Sequence, residues 1–343
     1  MPAVGEPRRP ESPASRGAPP AESMSSAPEA GAAGAIRDVK SARTRAWNYR
    51  VLYLFMLPGV LSFLAFSYAP MVGLVMVFQR YDPVSGFLGS PWVGLANFAR
   101  LFSAPTFSRA LRNTLVISAL KLAIEFPLPI LFALLLNEIR RTHFRKFVQT
   151  VTYLPCLISW VIVAGLFYKL LSPDNGVVNQ ILLTLGLVKE PIFFMQSTRW
   201  FYPVILFTDV WKNLGFQAIF YLAAISVVDL QLYEAAVMDG AGRVRQAWSI
   251  TLPAMRTTII LLLILDASNL VNAGFDQLWT MGNMAVREVG DILDTAVLRT
   301  LTQGSFQDLS VGAAMGFFKS VAGLALFLLA NTLARLFRAE SVL

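Results

Sequence analysis

One cysteine and one histidine are all that this chain of 343 residues holds of the side chains that most often build disulfides and metal centres. Cys156 has no partner for an intramolecular disulfide, and with His143 the only histidine there is no Cys/His metal cluster. Charge is scarce as well: 15% of the residues are Asp, Glu, Lys or Arg, where a soluble domain carries roughly a quarter. The motifs that hold nucleotides or build hydrolytic sites are missing. No G-x-x-x-x-G-K-[ST] run occurs, so nothing can cradle an ATP phosphate chain in the Walker manner. Gly240-Ala241-Gly242 runs on into Arg243-Val244-Arg245 without completing a dinucleotide fingerprint, and neither G-x-S-x-G nor H-E-x-x-H is present. The lone histidine sits in a basic loop, which leaves little for imidazole general-base chemistry. The chain is expected not to be an enzyme and to hold no metal or cofactor of its own.

What the sequence does hold is apolar surface: 55% hydrophobic residues and a mean hydropathy of +0.57. Six apolar segments are each long enough for the roughly 20 residues that cross a hydrocarbon layer. They lie near 51–79, 112–137, 148–171, 201–228, 254–280 and 311–337, so the expected fold is an all-α polytopic membrane protein of six transmembrane helices. The net charge of +8 is read as a topology signal and not as a nucleic-acid patch, because the basic residues cluster beside apolar segments. Arg37, Lys40, Arg43, Arg45 and Arg50 precede the first span; Arg140, Arg141, Arg145 and Lys146 link the second to the third; Arg243, Arg245 and Arg256 follow the fourth; Arg335 and Arg338 follow the sixth. These fall on one side if both termini are cytoplasmic. Residues 1–36, rich in Pro, Ala, Ser and Gly, have too few large apolar side chains to offset their ordering entropy and are expected to be disordered. No apolar core follows the first basic residues, so a signal peptide is not expected there. The membrane domain then covers 37–343.

Ionisable residues inside the spans are costly in lipid and by default face the bundle or a wet cavity. Lys121 with Glu125 and Asp209 with Lys212 have the spacing to neutralise each other along one helix; Asp266 and Lys319 have no such neighbour. Amides and aromatics gather with them. Trp211, Asn213 and Gln217 on the fourth span, and Asp266, Asn269, Asn272, Phe275, Asp276 and Gln277 on the fifth, supply hydrogen-bonding edges and apolar rings of the kind a sugar needs. Asn269, Asn272 and Asp276 follow i, i+3, i+7 spacing and so share one face, which lipid would leave unsatisfied. Trp47, Trp92 and Trp200 lie near span ends, where an aromatic belt is expected. Pro127 and Pro129 should kink the second span or delay its start.

Between the fourth and fifth spans, residues 229–253 form a polar-edged island. Asp229 is placed to cap a short helix through its carboxylate, on which Leu230, Tyr233 and Val237 make an apolar face. Ala235 and Ala236 keep the exposed side small, so another protein could close over it. Gly240 and Gly242 are expected to end the helix in positive φ. Residues 243–250 can add a short turn of helix, and Pro253 suits the start of the next helix.

The pattern Glu234-Ala235-Ala236, three residues ending at Asp239, Gly240, nine residues, then Ile250-x-Leu252-Pro253 resembles the EAA loop of ABC-importer permeases. Further segments look like the LplB-type carbohydrate permeases: Gly89-Ser90-Pro91-Trp92-Val93-Gly94-Leu95-Ala96-Asn97-Phe98, Leu135-Leu136-Asn137-Glu138, Leu171-Ser172-Pro173-Asp174 and Asn272-Ala273-Gly274-Phe275. The likeness runs from about residue 50 to 338. It implies the maltose-transporter-like fold, a second non-identical permease, two ATP-binding subunits that supply the energy, an extracytoplasmic solute-binding lipoprotein and an oligosaccharide or related glycan as cargo, in a bacterial cytoplasmic membrane. It implies that Glu234, Ala235, Ala236, Asp239, Gly240, Ile250, Leu252 and Pro253 contact the ATPase, and that the fourth and fifth spans line the path. Two rivals remain from other classes. An ion-coupled secondary transporter could run on Asp266, but would leave the EAA loop without a purpose. An intramembrane enzyme would need two converging catalytic groups that no motif here places.

Overall fold

The computed structural model describes residues 49–305 and 308–336. The tail over 1–36, the basic run from Arg37 to Arg45, Trp47 and Arg338 lie outside the described residues. The chain divides into two compact units after Ser67. In the first, Arg50–Phe63 forms helix α1, which tolerates Pro58 inside it and buries none of its residues. The second opens with a 3-10 stretch, Ala69–Phe78.

The remaining helices used below are α2 (Pro105–Glu125), α3 (Pro127–Asn137), α4 (Thr142–Tyr153), α5 (Trp160–Leu170), α6 (Val177–Thr184), α7 (Thr198–Ser226), α8 (Leu230–Met238), α9 (Arg256–Ser268), α10 (Phe275–Met281), α11 (Leu293–Gln303) and α12 (Asp308–Leu336). Among the described residues, the only pairing of extended chain is an isolated bridge between Gln79 and Trp92. It closes a loop in which the Ser85 hydroxyl and the Val84 N–H hold the Asp82 carboxyl below the usual carboxylate range.

Among the described residues, three helical runs are long and apolar enough to cross a membrane: Arg50–Phe78, Pro105–Asn137 and Asp308–Leu333. Three more do so only as bent pairs: Thr142–Leu157 with Trp160–Leu170 at 102°, Thr198–Ser226 with Leu230–Met238 at 73°, and Arg243–Ala254 with Arg256–Ser268 at 65°. The count among the described residues is therefore three such helices, or six segments if each bent pair is one span.

The second span starts at Pro105, earlier than hydropathy suggests, because proline fits the first helical position and Ala104 enters extended. One face of this polar first stretch, with Phe107, Ala110, Asn113 and Thr114, is buried. Asn113 donates to the carbonyls of Glu288 (2.8 Å) and Asp291 (3.0 Å), and Thr114 accepts from Leu293 N–H at 2.9 Å. At Phe126 the backbone stays helical, so Pro127 starts α3 without breaking the run.

The third segment, expected as one helix over 148–171, is interrupted. Pro155 opens a 3-10 turn, Leu154–Leu157, and Ser159 is extended before α5 begins. Proline removes a donor and disfavours helix in the residue before it, and the apolar composition on both sides hides the break from hydropathy. The fifth segment, expected as one helix over 254–280, is also broken: α9 ends at Ser268 and α10 starts only at Phe275.

Helix α7 threads the second unit, packing on α2, α3, α4, α9 and α10. Its 29 residues bury Phe201, Val204, Ile205, Thr208, Asp209, Lys212, Gly215, Ala218, Tyr221 and Ile225, a three-and-four spacing that marks one broad face. One apolar cluster joins its first half to α5 and α10 through Phe201, Ile205, Val163 and Leu278, and another joins its last turns to α3 through Ala218, Tyr221, Ile130 and Ala133.

Candidate functional site

The charged residues inside the spans do not pair along their own helices. Lys121 on α2 forms an ion pair with Asp209 on α7 and donates to Gln277 Oε1 on α10 at 2.7 Å. Gln277 in turn donates to the Ile205 carbonyl (2.8 Å) and the Thr208 hydroxyl (2.9 Å) of α7. Asn213 donates to the Asp209 carboxylate from one turn further on. One ammonium thus ties three helices through Asp209 and Gln277.

Lys212, freed from Asp209, turns the other way. Its ammonium donates to the carbonyls of Pro155 (3.3 Å), Cys156 (2.8 Å) and Ile158 (2.6 Å) at the break in the third segment. It also lies 5.5 Å from the Trp160 ring centroid. The Pro155 carbonyl also accepts from Ile158 N–H at 3.2 Å, so the ammonium chiefly serves the Cys156 and Ile158 carbonyls, which a salt bridge to Asp209 would leave bare. The expected Lys121–Glu125 and Asp209–Lys212 pairs are therefore replaced by contacts between helices. Lys319, unmatched within its span, pairs with Asp294 of α11 at 2.5 Å.

Beside the Lys121 network lies a polar cavity of about 320 Å³ between α2, α7 and the broken fifth segment. That is the small end of the range for ligand clefts, roughly 300–1,000 Å³. Of the nine residues expected along a path, Asn213, Gln217, Asp266, Asn269, Asn272, Phe275, Asp276 and Gln277 all line it. Trp211 does not: it packs edge-on against Phe167 at 5.7 Å and faces an apolar hollow between α5 and α7. Asn269, Asn272 and Asp276 do come together, though not as one helical face. The chain between Ser268 and Phe275 folds back, with Asn269 donating to the Leu265 carbonyl at 3.0 Å and Asn272 to Asn269 Oδ1 at 3.1 Å. Gly274 makes the turn possible at φ +91°, and a Cβ there would stand 2.7 Å from Lys121 Nζ.

Ser118, Lys121, Glu125, Trp160 and Asp209 also line the cavity. Lys121, Glu125 and Asp209 were visible in the sequence as charges inside spans. Trp160 and Ser118 gave no signal, because only the broken third segment and the packing of α2 on α7 bring them in. Glu125 Oε1 is buried with no hydrogen-bond partner among the described residues. The cavity offers carboxylates and amides to hydroxyl groups, and the rings of Phe126, Trp160 and Phe275 to apolar faces.

The second constellation is the loop 229–253. Asp229 caps α8, its carboxylate accepting from Gln231 N–H at 2.9 Å. No residue of α8 is buried. Glu234, Ala235 and Val237 lie on the surface, and Met238 is 87% exposed. Asp239 and Gly240 close the helix: Gly240 N–H reaches the Val237 carbonyl at 3.0 Å and Ala241 N–H the Ala236 carbonyl at 2.8 Å, with Gly240 at φ +75°. This is the left-handed C-terminal cap that glycine favours. Gly242, expected to share that role, is extended at φ −68° and instead precedes the next helix. That helix is longer than a single turn, running through a π-helical stretch (Ala247–Thr251) to Leu252–Ala254, with Ile250 and Pro253 on it. Tyr233 and Thr251 join the two arms by a 2.9 Å hydroxyl contact, and Arg243 reaches Glu138 at the end of α3 at 3.3 Å.

Known proteins share this arrangement. Residues 125–339 match the family described as binding-protein-dependent transport system inner membrane component. The polygalacturonan/rhamnogalacturonan transport system permease protein YteP of Bacillus subtilis (strain 168) is 49% identical over 294 residues, 85% of this chain and 90% of its own. Protein LplB of the same organism is 44% identical over 292 residues, again 85% and 90%. A chain of a bacterial alginate ABC transporter, solved in complex with an alginate pentasaccharide-bound periplasmic protein, is 37% identical with a TM-score of 0.80, over 88% of this chain and 99% of that one.

Proposed function

This chain belongs to the family of binding-protein-dependent transport system inner membrane components, and from that premise we propose that its cargo is an oligosaccharide or a related glycan. The polar cavity carries this reading: carboxylates, amides and the Phe275 and Trp160 rings converge inside an otherwise apolar bundle. A hydroxyl-rich solute could exchange its water hydrogen bonds for those groups and lay its apolar face on a ring. The names of YteP and of the alginate transporter support the same class of cargo.

The working assembly we propose contains a second, non-identical permease, two ATP-binding subunits and an extracytoplasmic solute-binding lipoprotein. ATP is bound by the separate subunits, since the sequence holds no phosphate loop. Glu234, Ala235, Ala236, Asp239, Gly240, Ile250, Leu252 and Pro253 form the region that meets them, a role supported by a helix that buries nothing of itself. Both termini lie on that same, cytoplasmic side, in keeping with the basic residues around 140–146 and 243–256.

The test is reconstitution with the partner subunits and ATP-dependent uptake of labelled oligosaccharides. The chain alone is expected to hydrolyse no ATP. Asn269→Leu with Asn272→Leu is expected to lose or alter uptake in a complex that still assembles. Unchanged uptake in that double variant would mean that the amides only pack against the partner permease.

A further inference from the structure

Phe275, which lines the cavity, stands near the start of α10. One turn further along α10 stands Trp279, its ring near-parallel to that of Phe275, with centroids 5.9 Å apart and an interplanar angle of 22°. Trp279 is 40% exposed. The guanidinium of Arg299, on α11, lies 5.8 Å from the Trp279 ring centroid. That guanidinium is itself held by a 2.8 Å bond to Asp291 Oδ1, and Asp291 is 5% exposed and accepts further from Thr295 at 2.6 Å. Asp276, exposed, precedes Trp279 by three positions and so shares its side of α10.

We propose that Phe275, Asp276, Trp279 and Arg299 form a second carbohydrate subsite, outside the cavity, which takes the next ring of a glycan whose leading ring occupies the cavity. This rests on the glycan reading above. A sugar ring has an apolar C–H face and a hydroxyl edge. Two near-parallel aromatic rings bury such a face at little cost in conformational entropy, each having only two side-chain torsions to fix. Asp276 accepts from ring hydroxyls, and the N–H groups of Arg299 not bonded to Asp291 donate to hydroxyl or carboxylate oxygens. An isolated belt tryptophan at a lipid interface needs none of these supports. Here the ring lies against a guanidinium fixed by a buried carboxylate, so the surface is organised before any ligand arrives. A glycan longer than the part held in the cavity continues along adjoining surface, and α10 carries such a surface onward from Phe275 to Trp279.

The experiment uses the assembled transporter in proteoliposomes. Its binding protein is supplied with labelled oligosaccharides of two to six residues cut from polygalacturonan, alginate and arabinan. Trp279→Ala is expected to lower uptake of the longest members by about fivefold to tenfold, and of the disaccharides by less than about twofold. Trp279→Phe is expected to restore most of the loss, and Arg299→Lys to reproduce part of it, because an ammonium cannot keep the planar stack. Assembly is checked by co-purification of the ATPase subunits with each variant. An equal loss at every length, or none at any, overturns the subsite; so does failure of Trp279→Phe to assemble or to restore uptake. A wild-type complex that imports no member of the series overturns the glycan reading itself, a result distinct from either.

Discussion

At the scale of single residues, the informative ones are charges whose partners lie on other helices. Lys121 and Asp209 are 12% and 7% exposed at their side chains, so removing one strands the other in a low-dielectric site. Lys121→Met and Asp209→Asn are expected each to lower the melting temperature of the solubilised complex. The pair should lower it by less than the sum, with a coupling of about 1–3 kcal/mol. Lys121→Met with Glu125→Gln should show a smaller coupling, since no bond joins those two. Equal couplings in both cycles would restore the pairing along one helix that sequence spacing suggests. Spacing rules see one helix at a time, which is why Lys121 and Glu125 looked like partners while the packing of α2 on α7 chose Asp209. Gly240 was legible because its requirement is local: only a residue at ease at φ +75° can close α8 there. Gly240→Val is expected to cost about 1–3 kcal/mol of local strain, to leave the permease inserted, and to weaken co-purification with the ATPase. Retained association and stimulated turnover would remove the loop from coupling.

At the scale of elements, the breaks in the third and fifth segments bring Trp160, Asn269 and Asn272 to the cavity. Neither break could be read from apolar runs. Leu154, Leu157 and Ile158 are as hydrophobic as a continuing helix, and what ends the helix is Pro155 together with a lysine 54 to 57 positions away that takes up the loose carbonyls. Lys212→Met leaves the Cys156 and Ile158 carbonyls bare, while Pro155 keeps its bond from Ile158 N–H. A cost on the order of 2 kcal/mol or more follows, given about 1–3 kcal/mol for each unsatisfied group. Cys156, the only cysteine, reports on this directly. Thiol labelling should be faster in Lys212→Met than in the parent protein, and close to parental in Lys212→Arg, which keeps the donors. Labelling and melting that do not change in Lys212→Met would mean that the break stands without the lysine.

At the scale of the molecule, the all-α membrane fold and most of the polar residues that line the cavity could be read in advance, because membrane crossing and unsatisfied amides impose strong, local constraints. Trp211 was misplaced for the opposite reason: whether an aromatic on α7 faces the cavity or an apolar hollow depends on how the helix is rotated, which composition does not set. The broken third segment also bears on how the chain enters the membrane. Helix α5 has 11 residues, a rise of about 16 Å against a hydrocarbon thickness of about 30 Å. While α7 is still inside the ribosome, the carbonyls at 155–158 have no ammonium to meet. The third segment is then expected to sit at the surface or slip back, and to become fixed only once Lys212 has emerged. Nascent chains long enough to expose residues 160–170, but with Lys212 still inside the ribosome, should therefore leave that stretch open to protease that is shut out once Lys212 has emerged, making biogenesis here a matter of waiting for a later helix.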